Sequence, residues 1–159
     1  MNEGTARTMV DPRQPRFGQA VTGLTLLGGF LADWPPVIPA VAVLLAGASL
    51  GGPRWNLYAH AFRGLRRLVR LGPPAELEEA APPRFANAVG FGFTAVASAL
   101  LVLDLHAAAW TLALIVSALA LLAAATGLCV GCELYVASRR LLTRGRVAER
   151  ITAPGRAPT

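Results

Sequence analysis

The chain contains two cysteines, and together they form one Cys-x-x-Cys pair, Cys129-Val130-Gly131-Cys132. Two cysteines placed at random in a chain of this length would stand three apart only about 1% of the time, so the spacing favours a function for the pair. A thiolate is the nucleophile in thiol–disulfide and persulfide exchange, and a second thiol three residues away on a helix lies within bridging range. The pair therefore predicts a redox or sulfur-relay dithiol, in which Cys129 attacks and Cys132 resolves.

Other roles fit the same two residues. Metal binding needs about four soft ligands, so Cys129 and Cys132 would complete a site only in a metal-bridged homodimer or with a partner protein. A haem link is disfavoured because Glu133, and not histidine, follows the pair. The pair could also be structural, in a non-enzymatic small transporter or in a membrane assembly or scaffold protein. We expect no bound cofactor, and we interpret His60 and His106 as structural because neither has a metal-ligand spacing to a partner.

Four apolar segments are candidates for the membrane helices that would position the dithiol. Over half of the residues are apolar and the mean hydropathy is +0.49, and a membrane span needs roughly 20 residues with about 17 as the lower limit. A polar turn at Asp33 joins the first segment to the second, and a polar turn at Asp104 joins the third to the fourth. The sequence therefore predicts an all-α integral membrane protein with four transmembrane helices, which cover residues 17–32, 36–50, 85–103 and 107–130.

The orientation of these spans follows from arginine. All 15 basic residues are arginines, and none lies in either predicted turn. Cytoplasmic loops carry the excess of positive charge, so both termini are predicted to be cytoplasmic. The arginine-only, alanine-rich composition is typical of a bacterial protein, which makes the inner membrane the expected location. Because the arginines lie beside apolar segments, we expect the lipid bilayer as their partner and no nucleic-acid binding.

The chain also contains an internal repeat of one helical hairpin. Pro15-Arg16-Phe17-x-x-Ala20-Val21 recurs as Pro83-Arg84-Phe85-x-x-Ala88-Val89, and the segment at 52–58 aligns with that at 129–135. Each copy leaves the cytoplasm and returns to it. The two hairpins are therefore predicted to be tandem parallel repeats, related by a pseudo-two-fold axis along the membrane normal.

The repeat predicts where the cysteines lie on their helix. In the first copy Gly52-Pro53 should end one helix and begin another. Carried across the alignment, this break puts Cys129 at the N-cap of a trailing helix and Cys132 at its third position. An N-cap lowers a thiol pKa through backbone N–H groups and the helix dipole. If the fourth span continued unbroken through Cys132, the dipole would oppose ionisation instead.

The polar segments outside the spans complete the predicted domain organisation. Apolar residues from Trp55 to Val69 recur at steps of three and four among arginines, which is the pattern of a basic amphipathic helix lying on the membrane with its aromatic side toward lipid. The predicted parts are an N-terminal cytoplasmic arm (1–16), a membrane domain (17–142) and a disordered tail (143–159). The membrane domain includes the surface helix (54–71) and a proline-bounded acidic linker (72–84).

Two polar features belong to the spans themselves. Gln19 and Asn87 occupy matching places in the first turns of spans one and three, and we expect them to form hydrogen bonds at the level of the lipid head groups. Small residues recur every four positions in span three, a stripe that favours close helix packing and hydroxyl bonds across the contact. This stripe comprises Ala86, Gly90, Thr94 and Ser98.

These motifs resemble those of a known family. The segment Val10-Asp11-Pro12-Arg13-x-Pro15-Arg16-Phe17, the second Pro83-Arg84-Phe85 and the closing Cys129-x-Gly131-Cys132-x-Leu134-Tyr135 are similar to an uncharacterised family of four-pass bacterial membrane proteins, domain of unknown function 4395, over about residues 8–142. The family has no established activity, so the resemblance assigns no catalytic residue. It does imply an association with thioredoxin-like and rhodanese-like proteins, and hence a cytosolic partner of that kind.

Overall fold

The computed structural model describes residues 9–51, 55–70, 72, 74, 77–138 and 140. The predicted tail at 143–159, the first eight residues of the predicted arm and the Gly52-Pro53 break lie outside these residues. The elements in chain order are β1 (Met9–Val10), α1 (Arg13–Leu31), α2 (Val37–Leu50), α3 (Leu57–Leu68), β2 (Glu78–Glu79), α4 (Ala81–Val102), α5 (His106–Thr126) and α6 (residues 130–138).

The tight turns after α1 and α4 have the same backbone form. Asp33 and Asp104 have φ angles of 47° and 56°, in the left-handed region that short polar side chains tolerate. In the first turn the N–H of Trp34 donates to the carbonyl of Gly29 at 2.8 Å, and the residue after Asp104 makes the corresponding bond at 2.9 Å. These bonds satisfy carbonyls that a helix end leaves unpaired. Both predicted turns are therefore present, with matching geometry.

The four long helices pack mainly across the two hairpins. The most extensive contacts join α1 to α5 and α2 to α4, and these two pairs are equivalent under the repeat. Between α1 and α5, Ser117 Oγ donates to the Gly23 carbonyl at 2.8 Å, and a Cβ on Gly23 would stand 2.6 Å from Leu121 Cγ. Between α2 and α4, a Cβ on Gly90 would stand 3.3 Å from Leu45 Cδ1. The two main contacts therefore occupy equivalent places in the two copies of the repeat.

Two of the described helices are long and apolar enough to cross a membrane. These are α4 and α5, and only 11% and 28% of their most apolar windows are buried inside the protein. The apolar helix α2 has 14 residues, which is roughly 21 Å of helix against a hydrocarbon core of about 30 Å. Glycines, threonines and a polar first turn make α1 less apolar. The sequence predicted four spans, and two described helices meet the criterion.

The surface helix is shorter than predicted, and part of its apolar face packs on protein. It covers Leu57–Leu68 instead of residues 54–71. Tyr58 and Phe62 are buried, and the Phe62 ring lies 5.8 Å from that of Phe17 in α1. The prediction that the aromatic side faces lipid is wrong for these two residues, because an amphipathic pattern marks an apolar face without specifying what covers it.

The N-terminal arm and the linker meet in a short antiparallel pairing, in which Met9–Val10 lies against Glu78–Glu79. The helix α4 begins at Ala81, with Pro82 and Pro83 in its first turn, where the missing N–H groups would have no helical partner. It therefore takes up the last four residues of the predicted linker and starts earlier than the predicted third span.

The hydroxyls of the small-residue stripe do not bond across a helix contact. Thr94 Oγ1 donates to the Gly90 carbonyl at 2.9 Å, and Ser98 Oγ donates to the Thr94 carbonyl at 2.7 Å. Both bonds lie within α4, so the expectation of cross-helix hydroxyl bonds from this stripe is wrong. Thr94 is nevertheless fully buried, which agrees with close packing inside the bundle.

Candidate dithiol site

The helix α5 ends because of Gly127. This residue has a φ of 78° and is the C-cap, with its N–H bonded to the Ala123 carbonyl at 2.9 Å. Glycine adopts this left-handed conformation without the steric cost that a Cβ brings. The predicted fourth span at 107–130 is therefore too long, and the break separates the dithiol from α5.

Cys129 begins the next helix. Its carbonyl accepts the N–H of Glu133 at 2.9 Å, which is the first helical hydrogen bond, and α6 follows at residues 130–138. Cys129 is thus the N-cap and Cys132 the third helical residue. The Cys129 sulfur accepts the backbone N–H groups of Gly131 and Cys132, as a capping side chain does. The helix start that the repeat predicts is present.

The two thiols differ in acidity. The pKa of the Cys129 thiol is lowered from 9.0 to about 6, chiefly by the hydrogen bond from the Cys132 side chain. Burial opposes this shift, whereas the two backbone N–H groups and the Gln19 side chain add to it. The pKa of Cys132 is raised by the same hydrogen bond, then by burial and by the negative charges of Cys129, Glu78 and Glu133. Near neutral pH the pair therefore consists of a Cys129 thiolate and a Cys132 thiol that donates to it.

Both cysteines are half-buried and line a cavity of about 300 Å³. The first turns of α1 and α4 form part of its wall, so the elements that open each hairpin lie beside the dithiol. The wall combines four prolines with charged and polar side chains, namely Pro12, Pro15, Pro82, Pro83, Arg16, Gln19, Glu78, Glu79 and Glu133. This opening leaves room for a small group or an extended segment of a partner to approach the sulfur atoms.

An arginine from the opposite hairpin packs on the break. The guanidinium of Arg16 lies against Gly127, so a Cβ there would stand 3.0 Å from its Cζ and closer still to Nη2. The repeat counterpart Arg84 reaches the end of α2, where Nη2 donates to the Ser49 carbonyl at 3.5 Å. Each hairpin thus opens with an arginine that contacts the end of the other hairpin. Arg16 also brings a positive charge to the wall of the dithiol cavity.

Gln19 is the site residue that the sequence interpretation missed. Its side chain donates to the Cys129 sulfur, although it lies 110 positions earlier in the chain. The sequence did mark Gln19 as a polar residue in the first turn of an apolar helix, matched by Asn87 in the repeat. That signal indicates a polar role, but the partner depends on the packing of α1 against α5.

The histidines do not join the dithiol. His60 lies on α3, where its Nδ1 contacts the Arg63 guanidinium at 3.0 Å. His106 begins α5, which is about 30 Å long, and the cysteines follow the other end of this helix. Among the described residues, no group of three or more histidine, cysteine and acidic side chains is placed to hold a metal ion.

The fold and the site define a helical-hairpin repeat protein that carries one N-capping dithiol. The chain belongs to the family described as "Domain of unknown function (DUF4395)", whose model matches residues 10–140. The match includes all of the described helices and both cysteines. No curated protein and no solved structure shows a significant match to the chain.

Proposed function

We propose that this protein is a membrane dithiol that exchanges disulfides or persulfide sulfur with a cytosolic thioredoxin-like or rhodanese-like partner. The observation that carries the proposal is the position of Cys129 at the start of α6, where two backbone N–H groups and the Cys132 thiol donate to its sulfur. A thiolate held in this way and facing a cavity has the properties of an attacking nucleophile. The class of partner comes from the family resemblance.

Disulfide exchange would proceed in two displacements. The Cys129 thiolate attacks one sulfur of the partner's disulfide, forms a mixed disulfide and releases the other sulfur as a thiolate. The negative charge on Cys129 and the hydrogen bond to it are then gone, so the main causes that raise the Cys132 pKa disappear. Cys132 loses its proton to solvent and attacks Cys129 Sγ. The products are a Cys129–Cys132 disulfide and a partner dithiol that has gained two electrons.

Sulfur transfer would use the same two residues. The Cys129 thiolate attacks the outer sulfur of a partner persulfide, which yields a Cys129 persulfide and the partner's thiolate. Attack by the Cys132 thiolate on the Cys129 Sγ then releases hydrosulfide and forms the internal disulfide. In both routes a dithiol of the thioredoxin type would have to reduce the Cys129–Cys132 disulfide before the next cycle.

The proposed setting is the bacterial inner membrane, with four membrane-spanning helices and both termini in the cytoplasm. Large apolar side chains on all four long helices are exposed, for example Leu24 at 61%, Val43 at 72% and Val102 at 83%, which suits a lipid surrounding better than water. Trp34 and Trp55 are exposed at opposite ends of α2, as tryptophans at the two membrane interfaces are. The shorter helices α1 and α2 would cross as partners of α5 and α4.

Trapping of mixed disulfides tests the function. Cells that express a Cys132→Ser variant are expected to accumulate a covalent adduct between Cys129 and the partner, because the resolving thiol is absent. The matched Cys129→Ser variant is expected to accumulate none. Equal amounts of adduct in the two variants, or no adduct in either, would count against the proposal.

The remaining roles give different outcomes in the double variant Cys129→Ser, Cys132→Ser. If transport or assembly survives in this variant, the protein is a transporter or scaffold and the dithiol is incidental. If the purified wild-type protein contains a stoichiometric metal and a dimer that the double variant lacks, the pair is a metal bridge.

The proposed topology is tested separately with single-cysteine variants at Trp34 and Trp55. Only the variant at Trp34 should react with an impermeant reagent added from outside.

A further inference from the structure

A second cavity lies beside the dithiol cavity, between the first turns of α1 and α4 and the face of α3. Its volume is about 560 Å³, within the range of roughly 300–1,000 Å³ that is typical of small-molecule sites. The two cavities share Pro15, Gln19 and Pro83 in their walls. A ligand in the second cavity would therefore be separated from Cys129 by the Gln19 side chain.

The inner wall of this cavity offers hydrogen-bond donors. The side-chain amides of Gln14 and Asn87 line it, and neither has a hydrogen-bond partner among the described residues. Asn56 also lines it, and because its Oδ1 accepts the Ala59 N–H at 3.0 Å, its amide nitrogen is the group that could donate to a ligand. Each amide nitrogen carries two donors, so the wall can surround an acceptor-rich ligand.

The rim of the cavity is positively charged. Arg63 and Arg84 line it, and no carboxylate does so among the described residues. Arg63 contacts the Ala59 carbonyl and His60, but neither arginine forms an ion pair with a described carboxylate. Arg66, on the same helix, does form an ion pair, with its Nη1 at 3.9 Å from Asp11 Oδ2. A guanidinium has five N–H donors in a fork that fits oxyanions, so two of them without an opposing carboxylate favour an anionic ligand.

We propose that this cavity binds a tetrahedral oxyanion, held by Arg63 and Arg84 at the rim and by the amides of Gln14 and Asn87 inside. The oxyanion is either a free sulfate-like or phosphate-like ion or the phosphate of a lipid head group, since both present the same acceptor oxygens. The arginines and amides that form the site do not take part in the thiol chemistry, so this inference goes beyond the proposed function.

Calorimetric titration of the full-length protein in neutral detergent tests the site, with sodium sulfate and sodium phosphate as probes at constant ionic strength. We expect saturable binding that Arg63→Gln and Arg84→Gln each weaken by about tenfold or more. The matched controls are Arg67→Gln, one turn further along α3, and Arg13→Gln, at the start of α1. Both are exposed and line neither cavity, so their binding should remain as in the wild type.

Native mass spectrometry with added phosphatidylglycerol or phosphatidylcholine identifies the source of the oxyanion. Retention of phosphatidylglycerol that is lost in Arg63→Gln and Arg84→Gln, and that blocks sulfate binding, would make the head group the ligand and support the site. The proposal is wrong if neither sulfate, phosphate nor phosphatidylglycerol binds, or if the two control variants weaken binding equally. The double variant Cys129→Ser, Cys132→Ser should bind as the wild type does, which separates this site from the dithiol function.

Discussion

The two hairpins cap their trailing helices with different side chains, at positions that lie four residues apart in the repeat alignment. In the first, the helix that follows the second apolar helix is capped by Asn56, whose Oδ1 accepts the N–H of Ala59 at 3.0 Å. In the second, the corresponding helix is capped by Cys129, whose sulfur accepts the N–H groups of Gly131 and Cys132. The amide oxygen cannot ionise, whereas the sulfur can. The hydrogen bonds that cap α6 therefore add to the stabilisation of a thiolate, whose largest contribution comes from the Cys132 thiol.

The tyrosines that align between the two copies are buried to different extents. Tyr58 is buried, which raises its pKa, and its hydroxyl shares a hydrogen bond of 2.8 Å with Thr22. Tyr135 is half-buried and lies 5.6 Å from the ring of Phe85. The first hairpin thus secures its trailing helix with a buried polar contact. In the second hairpin the cap is a cysteine that lines the dithiol cavity, and we expect this copy to carry the reactive thiols.

The largest effect on stability is expected at Gly127, where the helix α5 ends. A Gly127→Ala substitution puts a Cβ into the left-handed region and against the Arg16 guanidinium, and it should lower the free energy of unfolding by about 2 kcal/mol. Unfolding by a denaturing detergent measures this. The control Gly92→Ala lies within α4 with open space around it, and it should be neutral or slightly stabilising. Equal losses in the two variants would show that the break is not a special position.

A smaller loss is expected when the buried contact of the first hairpin is removed. Thr22→Val leaves the Tyr58 hydroxyl without its partner, and we expect a loss of about 1–2 kcal/mol in the free energy of unfolding. Thr25→Val changes an exposed threonine on the same helix and should have little effect. If Thr22→Val is as stable as Thr25→Val, the buried bond does not hold α3 in place.

The two caps can be compared directly by substitution. Asn56→Ala removes the capping oxygen and should cost about 1 kcal/mol, whereas Asn56→Ser keeps an oxygen and should cost a few tenths. Cys129→Ser likewise keeps a capping oxygen, so the protein should unfold within about 0.5 kcal/mol of the wild type while losing its thiolate. A large loss of stability in Cys129→Ser would mean that the cysteine is retained for the fold and not for chemistry.

The repeat predicted the helix start at Cys129. The Gly52-Pro53 break in the first copy, from which that prediction was made, lies outside the described residues. Of the two glycines that flank Cys129, only Gly127 has a positive φ. Gly131 lies inside α6 and packs closely on Ala86. The pairing of β1 with β2 was not predictable, because two-residue strands show no periodicity. The bond from Gln19 could not be predicted either, since it arises only when α1 packs on α5.

The smallest predicted effect concerns Gln19, the polar residue that the two cavities share. Gln19→Ala removes one donor from the Cys129 thiolate and should raise its pKa by roughly half to one unit. Asn87→Ala, its counterpart in the repeat, should leave that pKa unchanged. The measurement is the pH dependence of Cys129 alkylation in each variant. Equal shifts in both variants would show that the effect is general and not a contact with the sulfur.

The most direct test of the central claim is the alkylation rate of Cys129 between about pH 5 and pH 10, with the modified residue identified by mass spectrometry. Because the thiolate is the reactive form, the rate should rise as the pH passes the thiol pKa, with a midpoint near 6 and Cys129 modified before Cys132. Cys132→Ser keeps a hydroxyl donor and should retain a low midpoint, whereas Cys132→Ala should raise it. A midpoint at or above about 8.5, the value of a free cysteine, or earlier modification of Cys132, would contradict the account.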